Sequence, residues 1–590
     1  MAPPNEKRTI MIEDLLRKGL LESLEKYSVF EEDVTIELEK PRTRSHGDLS
    51  TNLALMLGGR LKKNPRELAG EIAAAVDFPK DIVESVEIAG PGFINFRIAR
   101  PCQVDHLMNV WDPKGALQEI KTGGGKRINV EFISANPTGP LNVVSARAGA
   151  FGMCMVRLLD AVGYDAHAEY YVNDAGRQVK LLGASLRAHY LQLAGDTVEF
   201  PEGGYQGRYL EIMAGELMEQ DTTAVQKAAS AFNDVSFQRI SAPDGNAEDW
   251  RKLPETESIR CFSKYALMKI LGWQRETCHR FGLNFETWYF ESELHETKRI
   301  ERAMERLVKL GSVYEDEEAT WFRATDYGDE KDRVLVRSDG MPTYFLADIA
   351  YHYHKFQRGF EHAIDYWGPD HHGYIQRMQG AMEALGIAPG WLEVEILQHV
   401  TFLEDGRPIN MSKRKGQFVT MDSLMEEVGS DVAKYFFLMR KPNSHLDFDL
   451  DLAKEQSRDN QVWYIKYAHA RICSVLKKIE VEEGFVPGDP TVKSLNRLTE
   501  DAEWSLVREL VRLPQVIVSA ANSREPHRLT GYLIEVASQY HQFYHECKIK
   551  DQTPEVRESR LHLSLVTRHV LRVVMEIIGV DAPEKLEEKS

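Results

Sequence analysis

Residues 130–147 constrain the fold of this chain more than any other stretch. Residues 130–133 (VEFI) read as a buried strand, and residues 136–140 (NPTGP) form a loop that leads into a helix. A unit of this kind directs backbone N–H groups and the positive end of a helix dipole towards an anion. We therefore expect an anion-binding site at this loop.

Strands and helices alternate from about residue 126 to residue 420, which indicates a doubly wound, Rossmann-like parallel sheet. Residues 190–265 are more polar and are predicted to form a helical insertion. The predicted fold class is α/β, with an N-terminal α/β domain at 1–115, the parallel-sheet domain at 120–450, and an all-α bundle at 455–590.

Individual elements follow from apolar periodicity and from turn residues. In the N-terminal unit we predict a helix over 10–27, a strand over 34–38, a helix over 51–61, and a hairpin formed by 86–88 and 93–96. In the central unit we predict strands at 127–133, 166–172, 365–367 and 394–397, a helix at 146–162, a helix N-cap at 173–174, and a hairpin turn at 403–407. The glycines at 123–125 are predicted to be a flexible break.

Three apolar stripes with helical spacing predict the C-terminal bundle. Their members are Ile465, Ala468, Ile472, Leu476 and Ile479; Leu533, Val536, Ala537, Tyr540, Phe543 and Tyr544; and Leu563, Val566, Val570, Val573, Val574 and Ile577.

Charge, cysteine spacing and hydropathy disfavour several classes of protein for this chain. The net charge of −18 disfavours wholesale nucleic-acid binding, so any such contact must use local basic patches. The six cysteines lie far apart, without a Cys-x-x-Cys pair, which argues against a disulfide framework or a cysteine zinc site. We find neither a signal-type N-terminus nor a membrane-spanning apolar run, and we expect a cytoplasmic protein without membrane contact.

Residues 410–416 (NMSKRKG) form a second motif. A short Lys-Arg-Lys run alone is usually a solvated loop. Its position soon after a predicted strand and hairpin favours a functional interpretation, in which the flexible Lys413 ammonium neutralises phosphate charge.

Together the two motifs resemble the signature of class I aminoacyl-tRNA synthetases, and the string EFISANPTGPL at 131–141 resembles the arginyl-tRNA synthetase family. The resemblance implies an ATP site that contains Pro137, Gly139, Asn142, Ser145, Met411, Ser412 and Lys413, with Asn142, Ser145 and Lys413 in catalytic roles. It also implies that ATP is used with Mg²⁺, which the phosphates bind.

This sequence departs from the family pattern at four positions in those motifs. The family's His-x-Gly-His is here residues 142–145 (NVVS), so Asn142 and Ser145 replace two histidines, Val144 replaces a glycine, and Asn410 replaces a lysine. An amide and a hydroxyl donate hydrogen bonds but carry no positive charge. We expect this loop to bind phosphate more weakly than the family's loop, and we expect backbone N–H groups and Lys413 to offset that loss.

The resemblance also implies an arginine pocket. Tyr344 and Asp348 are one helical turn apart and share a face, which suits a guanidinium that needs a carboxylate and an aromatic wall. The implied arginine-binding residues are Glu131, Ser134, Asn136, Tyr344, Asp348 and His371. Adjacent His371 and His372 point in different directions and lack companion ligands, so no resident metal site is predicted.

Residues 464–473 resemble the opening helix of the family's anticodon-binding domain, which implies tRNA contacts at Tyr464, Tyr467 and Arg471. Lys466, Lys477 and Lys478 give the segment a local basic excess. Aromatic and cationic side chains together are suited to unpaired RNA bases. The expected partners are tRNA(Arg), L-arginine and ATP, and the expected oligomeric state is a monomer.

The resemblance covers nearly the whole chain and implies ATP-dependent activation of L-arginine followed by transfer to tRNA. The loss of two histidines motivates one alternative, a catalytically impaired, synthetase-like paralogue that still binds tRNA. A second alternative is an active enzyme for another amino acid. Retention of Glu131, Asn136, Tyr344, Asp348 and Lys413 argues against both.

Overall fold

The computed structural model describes residues 11–27, 29, 34–41, 43, 46–112, 120–219, 245–409 and 420–586. The second motif, with Asn410, Met411, Ser412 and Lys413, lies outside these described residues. Residues 220–244 of the predicted insertion at 190–265 also lie outside them.

The strands of the described chain are β1 (Leu49–Thr51), β2 (Val83–Ala89), β3 (Phe93–Ile98), β4 (Arg127–Glu131), β5 (Asp165–Val172), β6 (Thr287–Phe290), β7 (Val313–Asp316), β8 (Ala319–Phe322), β9 (Arg333–Val336), β10 (His362–Trp367), β11 (Leu392–Ile396), β12 (Val400–Glu404), β13 (Arg407–Pro408) and β14 (Leu446–Asp449).

The helices are α1 (Ile12–Leu24), α2 (Leu53–Leu61), α3 (Pro65–Ala75), α4 (Arg100–Trp111), α5 (Val143–Ala161), α6 (Gly176–Leu193), α7 (Arg208–Met218), α8 (Ala247–Lys252), α9 (Glu255–Arg280), α10 (Glu291–Glu296), α11 (Arg299–Lys309), α12 (Tyr344–Gln357), α13 (Ile375–Ala384), α14 (Met421–Val428), α15 (Ser430–Leu438), α16 (Leu450–Lys454), α17 (Gln461–Glu483), α18 (Val492–Leu495), α19 (Asp501–Leu510), α20 (Leu513–Asn522), α21 (His527–Glu546) and α22 (Pro554–Ile578).

The central sheet is parallel throughout, with strand order β11-β10-β4-β5-β6. The chain winds outward from β4 through β5 to β6 and then returns to the other side of β4 to form β10 and β11. The order therefore reverses between β4 and β10, and ligands bind at such a switch point, beyond the carboxyl ends of the strands. The predicted doubly wound fold is confirmed.

The N-terminal unit is an antiparallel sheet of order β1-β3-β2 packed with helices α1 to α4. The predicted hairpin at 86–96 is confirmed as β2 and β3. The predicted strand at 34–38 is wrong, because only the following residue, Glu39, bridges to Ser50. The predicted helix at 51–61 begins instead at Leu53, since residues 49–51 pair with β3.

Two local predictions in the central unit are wrong for reasons of tertiary contact. The glycines at 123–125 are no free hinge, since the Gly123 N–H donates to Val162 O at 2.9 Å and the Gly125 N–H donates to Gly163 O at 2.8 Å. Asp174 does not cap α6, whose N-cap is Ala175. Its Oδ1 instead accepts a hydrogen bond of 2.8 Å from the Ser292 N–H.

The described chain between β5 and β6 contains helices α6 to α9 and no strand, as the predicted insertion requires. The hairpin turn predicted at 403–407 is confirmed between β12 and β13, where Asp405 and Gly406 both have positive φ. Strand β12 also pairs in parallel with β14, so a small second sheet lies beside the main one.

Helices α17 to α22 form the predicted bundle. Most stripe residues are buried, and Leu533, Val536, Val566 and Val570 are fully so. Tyr544 is an exception, with 37% of its surface exposed. Within the described ranges, none of the helices combines the length and hydropathy needed to cross a bilayer.

Candidate active site

The loop that follows β4 has a strained backbone. Ile133 and Ser134 have φ values of +69° and +42°, in the left-handed region that non-glycine residues rarely adopt. Two hydrogen bonds hold this conformation: the Ser134 hydroxyl donates to Glu131 Oε1 at 2.8 Å, and the Tyr171 N–H donates to Ser134 Oγ at 3.0 Å. Strain of this kind is maintained where the surrounding structure over-determines it, often at functional sites.

Three side chains fix the carbonyl groups of the same loop. The Tyr170 hydroxyl donates to Ala135 O at 3.1 Å, the Tyr209 hydroxyl donates to Thr138 O at 2.5 Å, and Gln274 Nε2 donates to Gly139 O at 2.8 Å. Tyr170 thus attaches the loop to β5, and Tyr209 and Gln274 attach it to α7 and α9. Of the predicted loop residues, Pro137 is buried and Asn136 is exposed.

Asn142 and Ser145 meet at the start of α5. Asn142 is the N-cap, and its Oδ1 accepts from the Ser145 N–H at 3.0 Å and from the Ser145 hydroxyl at 3.3 Å. The cap uses only the amide oxygen, so the amide NH₂ remains a donor at the positive end of the helix. Capping and phosphate binding are therefore compatible at this residue.

Two carboxylates that pair with no lysine or arginine of the described chain, half-buried Asp348 and buried Glu291, lie close to one another beside the parallel sheet. Asp348 lies on α12, where burial raises its pKa and the Tyr374 hydroxyl donates to its Oδ2 at 2.7 Å. Glu291 begins α10, directly after β6. Burial raises the pKa of Glu291 to about 7, and the charge of Asp348 contributes to this rise. Such a pair is stabilised by a cation placed between the two groups.

Glu131, predicted to bind arginine, has partners within the protein. Its Oε2 accepts from Lys355 Nζ at 2.5 Å and from the Tyr351 hydroxyl at 2.8 Å, while its Oε1 accepts from Ser134. The Glu131 charge is thus paired with Lys355, whereas Glu291 pairs with no lysine or arginine of the described chain. Glu291 directly follows the Thr-Trp-Tyr-Phe run of β6. This β-prone run is the one pattern in the sequence that could have indicated a strand end, and so a site residue, at Glu291.

Beneath Glu131 lies a buried charge network. Lys355, which is fully buried, also pairs with Asp365 at 2.8 Å, and His352 Nε2 lies 2.7 Å from the same carboxylate. Burial disfavours charged histidine, but Asp365 outweighs it and raises the pKa of His352. Glu131, His352 and Asp365 have ligand atoms within 4.8 Å of one another, yet the Lys355 ammonium already pairs with both carboxylates, so the group does not fit a resident metal.

The other two predicted side-chain contacts of the arginine pocket, Tyr344 and His371, are both exposed. Tyr344 is 66% exposed in the first turn of α12, one turn before Asp348. The Tyr344 ring reaches towards Gly176 at the start of α6. Its hydroxyl lies 3.9 Å from the place that a Cβ atom would take on that glycine. His371 is exposed in the short 3₁₀ helix Pro369–Tyr374, and its charge favours ionised Asp348.

The predicted RNA-contacting side chains form one cluster on the bundle. The Arg471 guanidinium lies 4.5 Å from the Tyr467 ring centre and 5.1 Å from that of Tyr544, and Tyr464 packs against His541. The predicted local basic excess is wrong for the lysines: Lys466 pairs with Asp431 at 2.5 Å, and Lys477 and Lys478 pair with neighbouring glutamates.

Three models of known protein families together match almost the whole chain. The family models described as arginyl tRNA synthetase N terminal domain, tRNA synthetases class I (R) catalytic domain, and DALR anticodon binding domain match residues 14–98, 106–444 and 465–586.

Relatives and solved structures agree with these matches. The chain is 41% identical over 565 residues to an arginine–tRNA ligase of Hydrogenovibrio crunogenus, covering 93% of this chain and 95% of the relative. It is 42% identical over 553 residues to an arginine–tRNA ligase of Heliobacterium modesticaldum, covering 93% of each. The arginyl-tRNA synthetase structure of Thermus thermophilus superposes with a TM-score of 0.73 at 19% identity, over 98% of this chain and 100% of that one, which supports the fold.

Proposed function

Because this chain belongs to the arginyl-tRNA synthetase family of class I aminoacyl-tRNA synthetases, we propose that it activates L-arginine with ATP and transfers the arginyl group to tRNA(Arg). In the first step the arginine carboxylate attacks the α-phosphorus of ATP and pyrophosphate leaves. In the second step a hydroxyl of the terminal tRNA ribose attacks the activated carbonyl carbon and AMP leaves. No covalent intermediate with the protein is required.

The carboxylate pair Asp348 and Glu291 is the observation that carries the proposal. Glu291 is buried and Asp348 half-buried, neither pairs with a lysine or arginine in the described chain, and the pKa of each is raised. A guanidinium supplies the missing positive charge and enough N–H groups for both carboxylates. Exposed Tyr344 supplies an aromatic face at the mouth of this pocket.

The α-amino and carboxylate end of arginine is assigned to the strained loop after β4. Ser134 and exposed Asn136 lie there, and Glu131 holds Ser134 in place through its hydrogen bond. This arrangement places the guanidinium towards α12 and the reacting carboxylate towards the start of α5. Positioning of this kind accounts for most of the rate when a reaction needs no protein nucleophile.

The triphosphate is assigned to the loop at 137–145 and to the second motif. Asn142 donates through its amide NH₂, Ser145 lies directly behind it, and the dipole of α5 favours negative charge at the same point. Met411, Ser412 and Lys413 are proposed to complete the ATP site from the sequence pattern. Mg²⁺ enters as part of the ATP complex, bound by the phosphates.

We propose that the N-terminal unit at 1–115 and the bundle at 455–590 contact tRNA, the latter through Tyr464, Tyr467 and Arg471. The cluster of rings around Arg471 supports this role, since bases stack on such surfaces. We further propose a monomer that works in the cytoplasm, where tRNA charging serves translation.

The decisive experiment is aminoacylation of total tRNA by the purified full chain, with Mg·ATP and each amino acid in turn. Charging by arginine alone is the expected result. Tight binding of arginine and tRNA without charging would identify the impaired paralogue instead. Charging by a different amino acid would reject the guanidinium pocket.

A further inference from the structure

Arg147 is a fully buried arginine whose partners are backbone carbonyls. It lies in the second turn of α5, five residues beyond Asn142 and two beyond Ser145. Its Nη1 donates to Gln398 O at 2.6 Å and to His399 O at 3.3 Å. Its Nη2 donates to Ser444 O at 2.8 Å and to the carbonyls of Lys441 and Pro442 at 3.3 and 3.4 Å.

This arrangement is costly if its purpose is stability alone. Within the described chain no carboxylate pairs with Arg147, its Nε has no hydrogen-bond partner, and burial lowers its pKa to about 10. Replacing a buried charge with an apolar side chain of similar volume is often neutral or stabilising. The guanidinium must therefore contribute something that a methionine at the same position would not.

Its contacts join α5 to the root of the small sheet. Residues 398–399 lie between β11 and β12, and residues 441–444 lead into β14, which pairs with β12. Backbone pairing also joins the two segments, with the Gln398 N–H donating to Pro442 O at 3.0 Å and the Leu446 N–H donating to His399 O at 3.4 Å. One guanidinium thus sets the place of both segments relative to a single helix.

The opposite end of the same region is attached to the same helix. Strand β13 ends at Pro408, and the Ile409 N–H donates to Phe402 O on β12 at 2.9 Å. Beyond the second motif, Thr420 forms a bridge with Asn142, and the Met421 N–H donates to Leu141 O at 2.9 Å. Both described flanks of residues 410–419 are therefore fixed to the start of α5, one directly and one through Arg147 and β12.

We propose that Arg147 is a positioning residue for adenylate formation, which fixes the root of the β12–β13 hairpin against α5 and so sets the spacing between this hairpin and the loop at 137–145. This inference rests on the proposed function. Arg147 itself does not touch the substrates. Its effect falls on ATP rather than on arginine, because the carboxylate pair of Asp348 and Glu291 is held by α12 and α10 instead.

The test compares Arg147→Lys and Arg147→Met with Arg157→Met in the full chain. Arg157 is a matched control, since it lies nearly three turns further along α5 and donates to a single carbonyl, Gly282 O, at 3.0 Å, away from both segments. For each variant the KM for ATP and the kcat of arginine-dependent pyrophosphate exchange are measured in the presence of tRNA, together with arginine binding by calorimetry and the unfolding temperature.

Misplacement of a binding group by about 1 Å costs about a hundredfold in rate. For Arg147→Met we therefore expect about a hundredfold loss of kcat and about a tenfold rise in the KM for ATP, with arginine affinity within about twofold of wild type. Arg147→Lys, which reaches fewer carbonyls, should lie between Met and wild type. The unfolding temperature should fall in Arg147→Met, because the carbonyls lose their donor, so the split between ATP and arginine carries the test rather than stability.

Unchanged ATP kinetics in Arg147→Met would overturn the proposal, as would parallel losses of arginine affinity, ATP affinity and unfolding temperature. If Arg147→Met does not fold, the Lys variant decides by the same split between ATP and arginine. Absence of exchange in the wild-type protein would reject the proposed function instead. Direct Mg·ATP binding to wild type, Arg147→Lys and Arg157→Met would then still test the spacing.

Discussion

Lys355 and Glu131 form a buried ion pair, 2.5 Å between Nζ and Oε2, that joins α12 to the end of β4 directly beneath the acidic pocket. The pair accounts for an asymmetry in the site. Glu131 is neutralised from within the protein, whereas Asp348 and Glu291 pair with no lysine or arginine of the described chain. Only the latter two can gain from a cationic substrate.

Loss of the Lys355 ammonium should destabilise the fold. Lys355→Met leaves Glu131 and Asp365 buried without their partner, so we expect the free energy of unfolding to fall by about 3–5 kcal/mol. Urea denaturation measures this change, with Lys264→Met, an exposed lysine on α9, as the control. A loss as small as that of the control would contradict the role assigned to the pair.

Removing either carboxylate of the pocket should weaken arginine binding and spare ATP. For Glu291→Gln and Asp348→Asn we expect the KM for arginine to rise about thirtyfold, since a hydrogen bond to a charged group contributes about 2 kcal/mol. Steady-state kinetics with Glu361→Gln, an exposed carboxylate, as the control measure this change. Equal effects of Glu291→Gln on arginine and ATP would remove Glu291 from the pocket.

Arginine binding should depend on pH through Glu291. The pKa of this carboxyl is raised to about 7, so below that value it is mostly protonated and cannot pair with a guanidinium. The KM for arginine should therefore fall roughly tenfold between about pH 6 and about pH 8, and binding near pH 6 should release up to one proton. Calorimetry in buffers of different ionisation enthalpy counts that proton, and Glu291→Gln should abolish both effects.

The same group affects stability in the absence of substrate. Its folded pKa lies above the unfolded value, so the folded state holds more protons between the two values. The contribution of Glu291 to the free energy of unfolding is thus greatest below its unfolded pKa of about 4.5 and is lost as pH rises through about 7. Added arginine should restore stability at the upper end of this window, which thermal unfolding with and without arginine at each pH would show.

Asn142 allows capping to be separated from phosphate binding. Asn142→Asp keeps the N-cap, because both side chains accept from the Ser145 N–H, but it replaces the NH₂ donor with a negative oxygen. We expect unchanged unfolding temperature with about a hundredfold loss of pyrophosphate exchange. In Asn142→Ala the lost cap should lower stability by about 1 kcal/mol. Full activity in Asn142→Asp would mean that this residue is only a cap.

The role of Lys413 comes from the sequence pattern alone. Lys413→Ala should slow adenylate formation far more than it weakens arginine binding, because the ammonium is proposed to neutralise phosphate charge. Rapid-quench measurement of adenylate formation, beside equilibrium binding of arginine, distinguishes the two. A similar decrease in both quantities would exclude a phosphate role.

Local patterns predicted the elements whose signals are complete within the sequence. Strand β5 was predicted to within one residue, and helix α5, predicted at 146–162, was found at Val143–Ala161, because apolar runs and the Pro/Gly loop agree there. Strands β1 and β6 were missed because three or four residues carry too little periodicity. Glu291, which directly follows β6, was absent from the predicted site for the same reason.

The sequence by itself determined the doubly wound sheet, the loop that faces an anion, the acidic residues available for the pocket and the helical bundle, because each depends on neighbours within a few turns of chain. The tertiary structure alone decided which charges remain available. Lys355 neutralises Glu131 across 224 positions, Asp431 neutralises Lys466, and five distant carbonyls surround Arg147. The energy of a buried charge depends on groups brought close by folding, and no local pattern contains that information.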